Sequence, residues 1–387
     1  MDFSFSPTQE AFRGEIRDFL KQEQPQQSSG FYPDSEGDDT WRAQQAFIRK
    51  LAERRWLTLA WPREHGGLAA DSMTQLVYNE EMAYQRAPTQ LGVGPDRVGP
   101  TLMLYGSEDQ QRSFLPAIAA GEIVFCQGFS EPGAGSDLAS LQTRAVLEGD
   151  DYVVNGQKIW TSYAHRADWM VLLARTDPNA PKHKGISYLL LDMKSAGVTV
   201  SPLYDMLGQA HFNEVFFEDV RVPRTNLVGE ENRGWYVATA TLDFERSGIN
   251  RIIGGQKIYE DLVDYCRAER PASWAQARLR LAELKIEFQV GRLLAYKVAW
   301  MQSRNLVPNA EASISKLFGT ELQQRVALYG LNTLGLAGAL RPSSPWAALK
   351  GRLERYYLSA ASLTVAAGTS EVMRNIIAGR GLGLPRQ

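Results

Sequence analysis

Gln127-Gly128-Phe129-Ser130-Glu131-Pro132-Gly133-Ala134-Gly135-Ser136-Asp137 divides this chain of 387 residues into a part with helical periodicity and a part with strand-like periodicity. Three glycines and a proline among those eleven residues let the main chain come close to a planar or phosphorylated ligand, and Ser130, Ser136 and Asp137 add short polar side chains. The spacing alone fits a surface loop equally well. The stretch fits a dinucleotide-binding fingerprint poorly, because Leu138 stands where the third glycine of G-x-G-x-x-G belongs and no long helical pattern follows directly.

On the N-terminal side of that stretch, Ser6-Pro7 with Gln9 at the third helical position forms a capped helix start, and Phe12, Ile16, Phe19 and Leu20 then fall on one face. Residues 24–39, rich in Gln, Ser, Gly and Asp, read as an excursion between helices, after which Trp41, Phe47, Ile48 and Leu51 resume helical spacing. Trp61-Pro62-Arg63-Glu64-His65-Gly66-Gly67 ends that helix. Further helical patterns cover 72–85 and 108–120, with a Gly/Pro-rich bend over 92–100, and Gly121 closes the region.

From Ile123 the period shifts toward two. Short β-forming runs occupy 152–154, 158–160, 169–174, 187–191 and 214–217, and Asn155-Gly156 carries the signal of a hairpin turn between the first two. From Gly234 the pattern returns to long helices over 235–266, 275–302, 310–334 and 346–366, with a last one from about residue 370. The fold class expected is α+β and multidomain: an N-terminal α-helical domain (1–122), a middle β-barrel domain (123–232) and a C-terminal α-helical bundle (233–387).

With 44% hydrophobic residues and a formal charge of −2, the chain can bury a large core, and no basic stripe marks nucleic acid or an anionic membrane as its partner. The first residues, Met1-Asp2-Phe3, are acidic and helix-like rather than a secretory signal, and no apolar run reaches the roughly 18 to 20 residues that span a bilayer. Cys126 and Cys266 as the only cysteines suggest reduced thiols in a cytoplasmic setting. His65, His165, His183 and His211 show no metal-ligand spacing.

Ser130-Glu131-Pro132-Gly133-Ala134-Gly135-Ser136-Asp137 resembles the signature of the acyl-CoA dehydrogenase flavoproteins, and the order of helical, β and helical blocks resembles that family's three-part architecture over nearly the whole chain. The Trp61 to Gly67 turn is similar to the family's Trp-Pro-x-x-x-Gly-Gly, which gives His65 a structural role. The resemblance implies FAD as cofactor, an acyl-CoA as substrate and an electron-transferring flavoprotein as electron acceptor. It further implies that Gln127, Phe129, Ser130 and Gly135 run along the flavin, with Ser136 lying toward the bound acyl-CoA. Lys158-Ile159-Trp160-Thr161-Ser162 resembles the second flavin segment, in which Trp160 covers the isoalloxazine and the hydroxyls of Thr161 and Ser162 approach it. Read without the family, Trp160 is better explained as core.

The reaction of such an enzyme needs one carboxylate base and a pair of donors that polarise the thioester carbonyl. Many members carry the base immediately before a C-terminal Gly-Thr pair, but here that position is Ala367, ahead of Gly368 and Thr369. Another branch places it on a helix after the β domain, directly before an Arg. Leu242-Asp243-Phe244-Glu245-Arg246 matches that pattern, which implies Glu245 as the base with Asp243 and Arg246 beside the substrate. Alone, Glu245-Arg246 reads as an adjacent charged pair on an amphipathic helix. An amide survives replacement of its side chain by alanine, so Ala367 retains the N–H that would polarise the carbonyl. The resemblance also implies that Gly368, Thr369 and Glu371 face the cofactor.

Two segments depart from the family. The Arg-x-x-Phe-Gly turn is shortened to Arg270-Pro271-Ala272-Ser273-Trp274, and the Gln-x-x-Gly-Gly adenine segment reads Asn332-Thr333-Leu334-Gly335-Leu336. Both belong to the half of the FAD site that a neighbouring subunit completes. The resemblance therefore implies an assembly, a homotetramer or a heteromer. The competing readings are a partner subunit of a heteromeric dehydrogenase and a flavin monooxygenase on the same fold.

Overall fold

The computed structural model describes residues 4–24, 37–243, 248–270 and 274–385. In chain order the α-helices are α1 (Pro7–Glu23), α2 (Asp38–Glu53), α3 (Ser72–Gln85), α4 (Gly99–Tyr105), α5 (Glu108–Ala119), α6 (Gly234–Asp243), α7 (Asn250–Ile253), α8 (Gln256–Glu269), α9 (Trp274–Ser303), α10 (Asn309–Leu334), α11 (Arg352–Leu363) and α12 (Ser370–Ile376). The strands are β1 (Phe125–Gly128), β2 (Arg144–Glu148), β3 (Asp151–Ser162), β4 (Trp169–Arg175), β5 (Ile186–Asp192), β6 (Val198–Leu203) and β7 (Phe212–Pro223). These elements form two compact units, one from 1–35, 71–87 and 246–387 and the other from 36–70 and 88–245.

The helical unit begins with the predicted cap. Gln9 N donates to Ser6 Oγ (3.3 Å) while Ser6 N donates to Gln9 Oε1 (3.0 Å), and Ile16, Phe19 and Leu20 of α1 are buried as their spacing requires. The core of this unit gathers Leu76 of α3, Ile258 and Leu262 of α8, Leu281, Leu284 and Phe288 of α9, Leu322 and Val326 of α10, and Leu353 and Tyr356 of α11. Each such side chain contributes about 1.5–3 kcal/mol when fully buried.

A charged brace ties α1 to α3 and α9. Arg13 reaches Glu80 (2.8 Å) and Glu81 (2.7 Å), Arg17 reaches Glu81 (2.8 Å), Arg292 lies 3.1 Å from Glu80, and the Tyr296 hydroxyl donates to Glu80 (2.9 Å). A cavity of about 640 Å³ opens over this brace, lined by Arg13, Arg17, Glu80, Glu81 and Arg292.

Two helical patterns are interrupted. The run expected over 235–266 is split into α6, α7 and α8, with Gly248 in the left-handed region (φ +69°) and Gly254-Gly255 at the last break. A Cβ on Gly255 would collide with the Gln323 amide and the Tyr356 hydroxyl, so close packing requires glycine there. The run expected over 346–366 starts as α-helix only at Arg352, because Leu349, Lys350 and Gly351 are all left-handed. In the opposite sense, the bend over 92–100 is a single π-helical turn, Gly94–Val98, that leads into α4 with Pro100 in its first turn.

In the other unit a single seven-stranded sheet runs β1-β4-β2-β3-β7-β6, with β5 also on β4. β1 is parallel to β4, and β2–β3, β3–β7, β6–β7 and β4–β5 are antiparallel. Residues 170–174 and 187–191 are buried without alternation, which fits two strands covered on both faces.

Asn155-Gly156 does not turn the chain: β3 runs straight through it. The hairpin is one step earlier, where Glu148 pairs with Asp151 across Gly149-Asp150 and Gly149 is left-handed (φ +65°). Asn155 instead holds a bulge of β7, exchanging hydrogen bonds with Asp219 (2.9 and 3.0 Å), while Gly156 leaves room for Thr143.

Candidate functional site

The Trp61 to Gly67 turn supports the site from below. Trp61 is buried, its Nε1–H donates to Pro95 O (2.8 Å), and its ring fills the space that a side chain on Gly99 would occupy. The π-helical turn held this way projects Arg97, whose guanidinium donates to Gln127 Oε1 (2.7 Å) at the end of β1. His65 sits in the short 3-10 turn that Thr58 ties to Gly66 O (3.0 Å).

β1 delivers the glycine-rich stretch. Gly128 lies so close to Met170 that a Cβ would collide with its sulfur. Phe129 turns its ring into the core, edge-on to Tyr188 with centroids 6.2 Å apart, so it offers the site only its main chain. Glu131 and Ala134 exchange two backbone hydrogen bonds of 3.0 Å across Pro132-Gly133. Gly133 and Gly135 have open space where a side chain would be, and Gly135, Ser136 and Asp137 are exposed. Lys182 pairs with Asp137 and, by hydrogen bonding to it, holds its carboxyl below the usual range.

The two motifs meet through the backbone and through a buried ion pair. Ile159 N donates to Ser130 O (3.0 Å). Lys158, fully buried, donates to Glu131 Oε1 (2.8 Å) and to Phe129 O (3.0 Å), and Glu131 also accepts from Gln142 N (2.6 Å) and Thr143 N (2.8 Å). Burial pushes the Lys158 ammonium down to about 8 against the pull of Glu131. Burial pushes the Glu131 carboxyl up, and the nearby ammonium with the hydrogen bonds from residues 142 and 143 more than reverses this. Arg97, Glu131 and Lys158 were not singled out by sequence. The last two lay within the quoted motifs, but nothing in a linear reading pairs residues so far apart.

Between Lys158 and Thr161, β3 carries one more residue than β7 opposite it, and Trp160 in this bulge has φ +60°. A bulky residue in the left-handed region is strained, and a bulge re-aims its side chain. The indole is consequently 61% exposed, edge-on to Phe212 at 6.1 Å. Ser162 is half-buried. Thr161 points the other way: it is buried, and its hydroxyl finds no hydrogen-bond partner among the described residues.

Behind this platform, His211 is buried against Tyr163 (4.4 Å between ring centroids) and Phe212 (4.9 Å). Burial, helped by the charge of His165, pushes its imidazole down to about 4. The unfolded chain takes up this proton near pH 6.5 and the native protein only near pH 4, so stability falls as the pH drops through that window. The expected loss is about 3 kcal/mol. Urea unfolding of His211→Phe at pH 7.5 and 4.5 should show a drop smaller than the parent's by most of that amount.

In the helical unit, Ala367 (φ +53°) and Gly368 (φ +88°) are successive left-handed residues between α11 and α12. Thr369 caps α12 by accepting from Val372 N (3.2 Å). Glu371 is exposed, and its own N–H together with the Thr369 hydroxyl holds its carboxyl below the usual range. Asp243 closes α6, and Glu245 and Arg246 lie outside the described residues. Leu336, just past α10, is almost fully exposed; of the shortened segment, residues 271–273 also lie outside the described residues. Among the described residues no group of His, Cys, Asp and Glu is placed to hold a metal, and no helix is long and apolar enough to cross a membrane.

The chain is similar to known proteins along its length. The acyl-CoA dehydrogenase N-terminal, middle and C-terminal domains match residues 6–122, 126–220 and 232–382. Acyl-CoA dehydrogenase FadE26 of Mycobacterium tuberculosis is 37% identical over 401 residues, covering 100% of this chain and 99% of its own. Among solved structures, the Tcur3481-Tcur3483 steroid ACAD superposes with a TM-score of 0.90 at 35% identity, and the ChsE4-ChsE5 complex from Mycobacterium tuberculosis with 0.88 at 38%, each covering 100% of both chains. This chain belongs to the acyl-CoA dehydrogenase family, whose members are oxidoreductases acting on CH–CH bonds.

Proposed function

We propose that this protein is an FAD-dependent dehydrogenase that converts an acyl-CoA to its trans-2-enoyl-CoA and passes the electrons to an electron-transferring flavoprotein. The observation that carries the reading is Trp160, which a strained bulge holds open to solvent beside the glycine-rich stretch. The residues suit FAD: an exposed indole face for a planar ring, polar edges at Gln127, Ser130 and Ser162, and open backbone at Gly135 and Ser136, whereas the Thr161 hydroxyl is turned into the interior. Gly368, Thr369 and Glu371 would also contact the cofactor. Bound FAD supplies the acceptor for the β-hydride.

The chain's own residues would do the rest. Glu245 takes the α-proton, the Ala367 N–H hydrogen-bonds the thioester oxygen, and Ser136, Asp243 and Arg246 orient the acyl-CoA. Full-length similarity to a steroid ACAD favours a bulky, steroid-like acyl group. Bleaching of the flavin absorbance by a panel of acyl-CoAs tests this; a flavin-loaded protein that no acyl-CoA bleaches would overturn it.

Assembly is part of the proposal. The altered segments at 270–274 and 332–336 belong to the half of the FAD site shared between subunits, and a solved relative is described as a complex of two chains. That favours a heteromer with a second family member over a homotetramer. α9 presents an outward stripe of Leu279, Ile286, Val290 and Leu293, all exposed, for such a partner. Ile286→Lys with Leu293→Lys should weaken the assembly at least about 100-fold, since each buried side chain contributes about 1.5 kcal/mol or more. Light scattering across a dilution series reads the change. A partner subunit without activity of its own is the second reading, favoured by the same altered segments, and flavin content per chain in the presence and absence of the second chain separates the two.

A further inference from the structure

We infer that Lys316 is a positioning residue for thioester polarisation: it clamps the turn that carries the Ala367 amide. The inference rests on the reading that this amide meets the thioester oxygen. Lys316 lies in α10, is buried, and donates to two main-chain carbonyls, Gly368 O at 2.6 Å and Leu363 O at 3.2 Å. These carbonyls bracket the connection between α11 and α12.

A lysine near a helix C-terminus often does no more than satisfy the last carbonyls. That role accounts for Leu363 O, the end of α11. It does not account for the shorter bond to Gly368 O, which lies beyond the helix and directly after Ala367. Between the two anchors, Ala366 N donates to Ser362 O (2.9 Å) and Ser370 N to Thr364 O (2.9 Å), so the base of the turn is closed. The N–H of Ala367 donates to no acceptor among the described residues, and the residue is exposed. A donor left free at the tip of a turn, in a left-handed conformation that alanine adopts at a cost, needs an anchor to keep its direction. The Lys316 ammonium supplies it, and also brings a buried positive charge into the turn where the thioester oxygen would gain negative charge.

Removing an oxyanion donor costs enzymes about 10²- to 10³-fold, and loosening one costs part of that. The experiment uses the full-length, flavin-loaded chain, with its partner chain where flavin loading requires it, as parent, Lys316→Met and Lys316→Gln. Hydrogen exchange over residues 363–370 reads the clamp. Binding of a trans-2-enoyl-CoA thioester against an alkyl-CoA thioether, which lacks the carbonyl, reads the donor. Exchange should rise and thioester preference should fall about 10-fold or more in Lys316→Met, with Lys316→Gln between it and the parent because the neutral, shorter amide can still donate. Unchanged exchange, or raised exchange with full thioester preference, would overturn the inference. If neither variant folds, the lysine supports the bundle as a whole, which also overturns it. A parent without thioester preference would instead remove the reading of the Ala367 amide, while the exchange result still decides whether the clamp exists.

Discussion

Glu245→Gln is expected to keep its flavin and its affinity for acyl-CoA while losing flavin reduction by about 10²- to 10⁴-fold, the contribution of a positioned general base. The expectation comes from an alternation. The C-terminal position that holds the base in many members is Ala367, which has nothing to accept a proton, and the other position the family uses carries a carboxylate directly before Arg246. Glutamine keeps the shape and hydrogen bonding of the side chain, so binding should survive. Anaerobic stopped-flow reduction at saturating acyl-CoA measures the effect, and a variant that reduces at the parent's rate would show that another group takes the proton.

The second large effect concerns stability. Lys158→Met should destabilise the sheet unit by about 3–5 kcal/mol, because it leaves the Glu131 carboxylate buried with only backbone donors at Gln142 and Thr143. Converting the pair to Glu131→Gln with Lys158→Met should recover most of that loss, since a neutral amide is cheaper to bury than an unpaired charge. Without the ammonium the Glu131 carboxyl must rise in pKa. If it rises above its unfolded value, the native protein binds more protons than the unfolded chain, and the deficit of Lys158→Met shrinks as the pH falls toward 4.5. Urea unfolding of both single variants and the double variant at two pH values yields the coupling directly. A double variant as unstable as the sum of the singles would mean that the two residues do not act as a pair. Flavin content should fall with Lys158→Met, because the same ammonium holds Phe129 O and thereby the stretch that lines the site.

What the sequence made legible was what short-range physics determines. The Ser6–Gln9 cap, the α3 and α9 spans and the block order follow from capping and periodicity, which act within a few residues. Asn155-Gly156 misled because its turn signal is local whereas its glycine answers a tertiary demand, the close approach of Thr143. The left-handed run at Leu349 to Gly351 broke a pattern that kept its helical spacing for another reason, the shared core of α10 and α11. At the site, Trp160 was visible as a residue type in a motif. That a one-residue bulge would strain it and turn it outward depends on the register of β3 against β7, which no single strand encodes. Lys158 and Glu131 looked like motif filler because a buried pair is defined by the space between two segments.

The burial of Lys158 has one more consequence. An amine with a pKa near 8 is largely neutral at slightly alkaline pH and is a better nucleophile than an ordinary lysine. Thioesters acylate such amines, and the proposed acyl-CoA substrate is a thioester. The ammonium is depressed by its removal from water, and the same removal leaves no atom of it accessible to an acyl donor. An amine whose pKa is lowered by burial is thus one that a thioester cannot reach while the sheet stays folded.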